Sequence, residues 1–373
     1  MAGIYIHIPF CRKACHYCNF HFSTTHKQIP QMVSAIAKEA IIRKNYLQKN
    51  VSTIYFGGGT PSLLLIDDAQ FLIDEFRNIF LVDEDAEITL EANPDDITEE
   101  KLAGWKQCGI NRLSIGVQSF FDEDLIWMNR AHNASEAEQS IKLAQDKGFS
   151  NITIDLIYGV PGMTNERWKA NIDKAIALHI PHLSCYALTV ESKTALDKMI
   201  LLGKKENINA DVQGRHFKLL MQWMQQAGYE HYEISNFAKP GMRSRHNSSY
   251  WQGKPYLGLG PSAHSFNGKS RQWNISNNNL YIKNIEEGTC SYEEEILTNK
   301  QQENEYIMTT LRTSEGISLT YIKEKFGADE VIRIVNNSQK YIQQKLMVAD
   351  NEYLILTNKG KFFADGIAAD LFV

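Results

Sequence analysis

The chain has 373 residues, a formal net charge of −5, 43% hydrophobic residues and 22% charged residues, the balance of a soluble globular protein long enough for more than one domain. A charge so near neutral excludes bulk attraction to nucleic acid or to an anionic membrane as the basis of function. Six cysteines are too few for a disulfide scaffold, and the crowding of three of them predicts a ligand cluster in a reducing compartment. No run of about 18 apolar residues predicts a membrane span, and "MAGIYIHIPFC" carries neither a basic leader nor a long apolar core, so a cytoplasmic location is expected.

In chain order, short apolar and β-branched runs predict strands at Ile4–Ile8 "IYIHI", Thr53–Phe56 "TIYF", Ile88–Leu90 "ITL", Arg112–Val117 "RLSIGV", Ile152–Ile157 "ITIDLI" and Leu183–Leu188 "LSCYAL". Helical periodicity fills the gaps. From Pro30, a stripe of Met32, Val33, Ile36, Ala37, Ala40 and Ile41 predicts one amphipathic helix. In "SEAEQSIKLAQDKG", Ser135 and Glu138 suggest a capping box and Gly148 a stop. Six strands alternating with helices predict a parallel sheet with right-handed crossovers, an α/β partial (β/α)6 barrel over residues 1–190. Residues 191–299 read as a barrel extension of long ordered loops rich in Gly, Ser, Asn and aromatics. Residues 300–373 read as three helices, a hairpin turning at Asp350-Asn351, and a last helix, the order of a winged-helix-like α+β domain. That segment holds nine basic and ten acidic residues, which disfavours DNA binding.

The loop after the first strand holds Cys11, Cys15 and Cys18 in the spacing C-x3-C-x2-C. Three thiolates can bind three irons of a [4Fe–4S] cube and leave the fourth open to a small molecule. Zinc is the competing metal, since His7, His16 and His21 are close enough in sequence to complete four ligands. In a parallel barrel, polar residues at the carboxyl ends of the strands should meet at one mouth. "YFGGGTP" follows the second strand, Glu91 ends the third, Gln118 ends the fourth with Arg130 in the next loop, and Asp155 interrupts the apolar fifth. A carboxylate inside an apolar strand is costly unless it is paired or functional.

"YIHIPFCRKACHYC" is similar to the signature of the radical S-adenosylmethionine (SAM) superfamily. In detail it resembles the branch of oxygen-independent coproporphyrinogen III oxidases and HemW-type heme chaperones, and the likeness continues through "IYGVPGMT", "ISNFAKPG" and "YLGLGPSAHSF". The resemblance implies that Cys11, Cys15 and Cys18 hold a [4Fe–4S] cluster and that SAM chelates the fourth iron. It also implies that Tyr5, Tyr17, Gly58, Gly59, Thr60, Glu91, Gln118, Arg130 and Asp155 hold SAM, with Arg130 facing its carboxylate.

Two activities divide the branch. An oxidase would convert coproporphyrinogen III to protoporphyrinogen IX by radical decarboxylation; a chaperone would bind heme and deliver it. This chain departs from the oxidase pattern in three ways. Phe20 stands where oxidases carry an additional cysteine. Oxidases carry a long extension ahead of the first strand, whereas Tyr5 already stands in that strand here. "HNSSYW", His246 to Trp251, resembles the H-N-x-x-Y-W heme signature of the chaperones. On that reading His246 is an axial ligand, Tyr250 and Trp251 face the porphyrin, and Arg243 and Arg245 pair with the propionates. The implied partners are heme-acceptor proteins, respiratory ones among them, with a monomer–dimer change and peripheral membrane contact. No residue is assigned a catalytic role.

Overall fold

A computed structural model of the chain describes residues 1–350 and 352–373. Six parallel strands form the centre: β1 (Ala2–Ile8), β2 (Val51–Gly58), β3 (Val82–Ala92), β4 (Arg112–Gln118), β5 (Ile152–Tyr158) and β6 (His182–Ala187). Each pairs with the next in sequence, and helices cross between them. Residues alternate between two faces with period two. Ile4, Ile6, Ile54, Phe56, Leu90, Ile115 and Ile154 point outward into the helix-covered core. The other positions, Tyr5, Tyr55, Glu91, Ser114 and Asp155, give the inner face a polar lining. Register joins them across strands, with Tyr5 opposite Tyr55, Glu91 opposite Ser114, and Asp155 opposite Ser184.

The sheet does not stop at six strands. β7 (Glu230–Glu233) and β8 (Asn236–Ala238) add antiparallel beyond β6. On the other flank β9 (Tyr256–Leu259) pairs parallel with β1, followed by β10 (His264–Phe266), β11 (Ser270–Asn274) and β12 (Tyr292–Ile296). The result is a twelve-strand open sheet in which β12 and β7 are the edges. Residues 191–299, expected as loops, therefore carry six strands and four helices among them Ala210–Gln226 and Arg245–Trp251. These strands are three to five residues long, too short for an alternation to stand out.

A second, smaller core is built on Ile307, Leu311, Ile322, Ile334, Leu354 and Ile367. Helices Asn299–Leu311, Leu319–Phe326 and Ala328–Gln343 surround a three-stranded sheet of β13 (Ile317–Ser318), β14 (Met347–Ala349) and β15 (Tyr353–Leu356). This is the winged-helix-like order; of its expected turn, Asn351 lies outside the described residues.

Two local expectations are corrected. The capping box is Asn133 with Glu136, two residues earlier than Ser135 with Glu138; an Asn side chain accepts from the N3 amide as well as Ser does. Helix Ile29–Ile42 buries Ala35 and Glu39, while Ile41 is 50% exposed. The buried stripe keeps Met32, Val33, Ile36, Ala37 and Ala40 and loses Ile41, while Glu39 is drawn inward by four donors: Arg43 Nη1 at 3.2 Å, Asn274 Nδ2 at 2.8 Å, the Gly260 amide at 2.9 Å and the Tyr281 hydroxyl at 2.5 Å. Arg43 in turn donates to Ser265 Oγ and Gln272 Oε1. One buried ion pair thus pins β9–β11 to the first helix.

Candidate functional site

The cysteine loop leaves β1 and is tied down on both sides. The Cys11 amide donates to Ser23 O at 3.0 Å, and the Ser23 amide to Pro9 O at 2.9 Å. Asn129 Nδ2 holds Ala14 O at 2.8 Å, and Lys13 Nζ holds Arg130 O at 3.0 Å. The three thiols are free and half-buried. No three His, Cys, Asp or Glu side chains among the described residues converge on one point, as a single tetrahedral zinc would require. Thiols that bind three separate irons need not converge. His7 and His16 are otherwise engaged, His7 with Tyr5 and His21 O, and His16 with Trp127 O.

Arg130 joins the loop to the strand ends. Its Nη1 donates to Cys15 Sγ at 3.2 Å, and its Nη2 donates to Asn93 Oδ1 at 2.6 Å and Gly116 O at 2.9 Å. A guanidinium here offsets the charge of thiolates, and its buried Nε has no partner among the described residues. Gln118 is buried with φ 63°, and its Oε1 is likewise unpartnered. Such orphaned groups beside three thiols fit a polar ligand that would satisfy them.

Glu91 and Asp155 face the same lumen. Glu91 accepts from the Tyr55 hydroxyl at 2.7 Å and from the Gly58 amide at 3.2 Å. Burial pushes its pKa up to about 7, and the Asp155 carboxylate adds to that rise against the Tyr55 hydrogen bond. Burial likewise pushes Asp155 up to about 6. Thr60, at the foot of the glycine turn, accepts from Asn93 Nδ2 at 3.3 Å. Tyr5, Tyr17, Gly58, Gly59, Thr60, Glu91, Gln118, Arg130 and Asp155 therefore all lie on the strands or loops around one mouth.

The glycine turn serves the protein's own packing. Gly58 has φ +107°, and a Cβ on Gly59 would stand 2.6 Å from Phe10 O and 2.8 Å from Ile8 O. The Gly59 amide donates to Ile8 O at 2.9 Å, so the turn is pressed onto the base of the cysteine loop. Gly59→Ala is expected to push that loop away, cost about 1–3 kcal/mol and lower iron uptake on reconstitution. Iron analysis beside circular dichroism checks this; full iron uptake in the variant would contradict it.

The H-N-x-x-Y-W stretch forms helix Arg245–Trp251. His246 is 1% exposed. Its Nδ1 lies 2.8 Å from Thr53 Oγ1 and its Nε2 2.8 Å from the Tyr250 hydroxyl, so both nitrogens of a neutral ring are used. Burial, then the Arg112 guanidinium, hold its pKa down at about 3. Glu87 accepts from the Arg245 and His246 amides at 3.1 and 2.9 Å, a carboxylate at the helix start. Arg243 is committed to Glu230 and Glu315, and Arg245 to Asp85. Both arginines are thus paired, and Arg243 also stands on the wall of the cavity that Tyr250 and Trp251 share.

Tyr250 and Trp251 line a cavity of about 1000 Å³ between the barrel mouth, the sheet extension and the C-terminal domain. Tyr256 and Phe266 come from the extension, and Tyr306 and Tyr321 from the C-terminal domain. Phe20, 65% exposed, lies on its wall beside Asn19 and His21. Lys254 and Lys325 also line it, and neither forms an ion pair among the described residues. Sequence reading missed Glu87, Tyr55 and Asn93. The alternation of Glu87, Thr89 and Glu91 on one strand face was the available signal for the first of these.

Residues 5–175 match the model of the radical SAM superfamily, and residues 297–363 match that of the HemN C-terminal domain. The heme chaperone HemW of Bacillus subtilis is 34% identical over 374 residues, covering 98% of each chain. HemW of Escherichia coli is 37% identical over 267 residues, covering 70% of this chain and 69% of that one. Among solved structures, the coproporphyrinogen III oxidase HemN of Escherichia coli, a radical SAM enzyme, superposes with a TM-score of 0.86 at 22% identity, over 100% of this chain and 90% of that one. That last likeness speaks for the fold alone. The span and identity of the relatives are decisive for the family: the chain belongs to the radical SAM superfamily and, within it, to the HemW family.

Proposed function

We propose that the protein is a heme chaperone: it carries a [4Fe–4S] cluster on Cys11, Cys15 and Cys18, SAM at the barrel mouth, and heme in the adjoining cavity, for delivery to acceptor hemoproteins. The observation that carries this reading is the cavity itself. It is aromatic-walled, of a size that suits a large flat ligand, and continuous from the Phe20 loop to the Tyr250–Trp251 helix. Lys254 and Lys325 supply two cations for a dicarboxylate. The relatives' name, heme chaperone, supports heme as the occupant.

A cluster with SAM supplies one-electron chemistry when bound. The chain's own residues position it: Arg130 faces a carboxylate, while Glu91 and Asp155 offer acceptors for hydroxyl or ammonium groups. Tyr5 and Tyr55 pack against the lumen side of Glu91, with ring centroids 6.2 Å apart. Acceptor proteins, a monomer–dimer change and contact with a membrane surface extend the same reading; no described helix is long and apolar enough to cross a membrane.

The test is hemin titration of the anaerobically reconstituted protein, with the same preparation offered coproporphyrinogen III, SAM and a reductant. One hemin per chain and no protoporphyrinogen IX are expected. Steady conversion to protoporphyrinogen IX would overturn the chaperone reading in favour of the oxidase. A pH dependence also follows. Glu91, facing Tyr5, Tyr55 and Asp155, ionises only as pH rises through about 7, and the carboxylate is the form that attracts a cationic ligand. SAM affinity is therefore expected to rise between about pH 6 and 8, and Glu91→Gln to flatten the rise. An unchanged slope in the variant would contradict the assignment.

A further inference from the structure

Three histidines line the large cavity, and a fourth, His246, lies behind its wall. Their hydrogen bonds separate them. His7 is bound at both nitrogens, Nδ1 by the Tyr5 hydroxyl at 3.1 Å and Nε2 by His21 O at 2.9 Å. His21 has its Nε2 2.7 Å from Asn278 Oδ1. His246 is bound at both nitrogens and is shut off from the cavity by Tyr250. His264 is exposed within the cavity, and neither ring nitrogen has a hydrogen-bond partner among the described residues. It belongs to "YLGLGPSAHSF", the stretch that forms β9 and β10.

Its backbone is held firmly while its ring is left free. His264 opens β10, opposite Trp273 of β11. Its carbonyl oxygen is so close to Gly258 that an added Cβ there would stand 2.0 Å away. The Gly258 amide donates to Ser265 Oγ at 2.9 Å, and Ser265 Oγ accepts from buried Arg43. The Trp273 ring lies alongside the imidazole, with centroids 6.2 Å apart and planes 27° apart.

We infer that His264, on the sheet-extension wall of the cavity, is the imidazole that binds the iron of a metalloporphyrin held there, and that His246 is a buried strut that fixes the Tyr250–Trp251 helix. This rests on the reading of the cavity as a heme site, and it reassigns the ligand within that site. A neutral imidazole with a free lone pair on the wall of an aromatic chamber is the donor that ferric or ferrous porphyrin iron takes. His246 would first have to lose the Tyr250 hydroxyl and reach through the wall. Its ties to Thr53, and those of its helix to Glu87, run the other way, into the barrel floor.

The experiment is electron paramagnetic resonance of the full-length, cluster-loaded protein with one equivalent of hemin, the oxidised cluster being silent. The wild type is expected to show an imidazole-ligated ferric signal. His264→Ala is expected to lose that signal, to keep hemin as a differently ligated species, and to regain the signal when free imidazole is added. Its thermal unfolding is expected to match the wild type, since the side chain is exposed. His264→Met is expected to replace the signal by that of thioether ligation. His246→Ala is expected to unfold at lower temperature and, in the folded fraction, to keep the imidazole signal. A wild-type signal in His264→Ala, or its specific loss in folded His246→Ala, would overturn the assignment. If the wild type takes up no hemin at all, the heme reading itself falls and the assignment with it, an outcome distinct from hemin bound without His264.

Discussion

Glu39→Leu is expected to lower the stability of the folded chain by about 3–5 kcal/mol, the cost of leaving one partner of a buried ion pair unmatched. Glu39 is fully buried and accepts from four groups, and its loss strands the Arg43 guanidinium together with Asn274 Nδ2, the Gly260 amide and the Tyr281 hydroxyl. The damage should concentrate in the sheet extension, because β9–β11 are tied to the first helix through this pair. Urea unfolding gives the global cost. Hydrogen exchange should show faster exchange across β9–β11 than across β3–β5. The double variant Glu39→Leu with Arg43→Leu should recover part of the loss, since it removes the uncompensated charge. A single variant as stable as the wild type would mean that the pair contributes nothing. The extension carries His264, Phe266 and Arg271 on the cavity wall, so the same substitution should also weaken hemin binding.

Replacing Cys11, Cys15 or Cys18 singly by serine is expected to reduce cluster iron to background, with loss of the broad absorption near 400 nm, while folding is retained. Replacing Cys108, Cys185 or Cys290 by alanine is expected to leave iron content unchanged. Cys108 and Cys185 are buried in the core away from the loop, and Cys290 is half-buried near the first helix. Iron and sulfide analysis after anaerobic reconstitution decides. Retention of full iron in the Cys15 variant would show that the guanidinium contact to its sulfur has another purpose. One equivalent of zinc with no iron would replace the cluster assignment altogether.

Much of the fold could be read ahead of the structure because the central strands are long and their two faces differ. The six parallel strands fall where apolar and β-branched residues recur, and the polar residues between them turn out to line one lumen. The same regularity is missing on the flanks. β7 to β12 are short and edge-like, and "YLGLGPSAHSF" reads as a loop because its glycines admit close backbone packing rather than a turn, with a Cβ at Gly258 blocked by the His264 carbonyl. Glu39 sat inside an apolar stripe and gave no sign of burial, since three of its four partners come from 221 residues and more further along the chain.

The site was legible in types and less so in roles. The three cysteines, Arg130 and the strand-end carboxylates could be named because their spacing and position are local facts. His246 could be named but its environment could not, because Thr53, Glu87 and Tyr250 close over it only in three dimensions. Arg243 and Arg245 looked free in sequence and are paired in the fold with Glu230, Glu315 and Asp85. Phe20 was read as the position that sets the chain apart from the oxidases, and the fold places it on the cavity wall.

The central claim is that the chamber joining the cluster loop, the Tyr250–Trp251 helix and the C-terminal domain holds heme. Amide hydrogen exchange of the cluster-loaded protein, with and without one equivalent of hemin, tests it most directly. The account predicts slower exchange in three separate segments, residues 245–252, 262–273 and 305–313, with the outer helices of the barrel unchanged. Protection confined to any other face, or none with hemin bound, would contradict it.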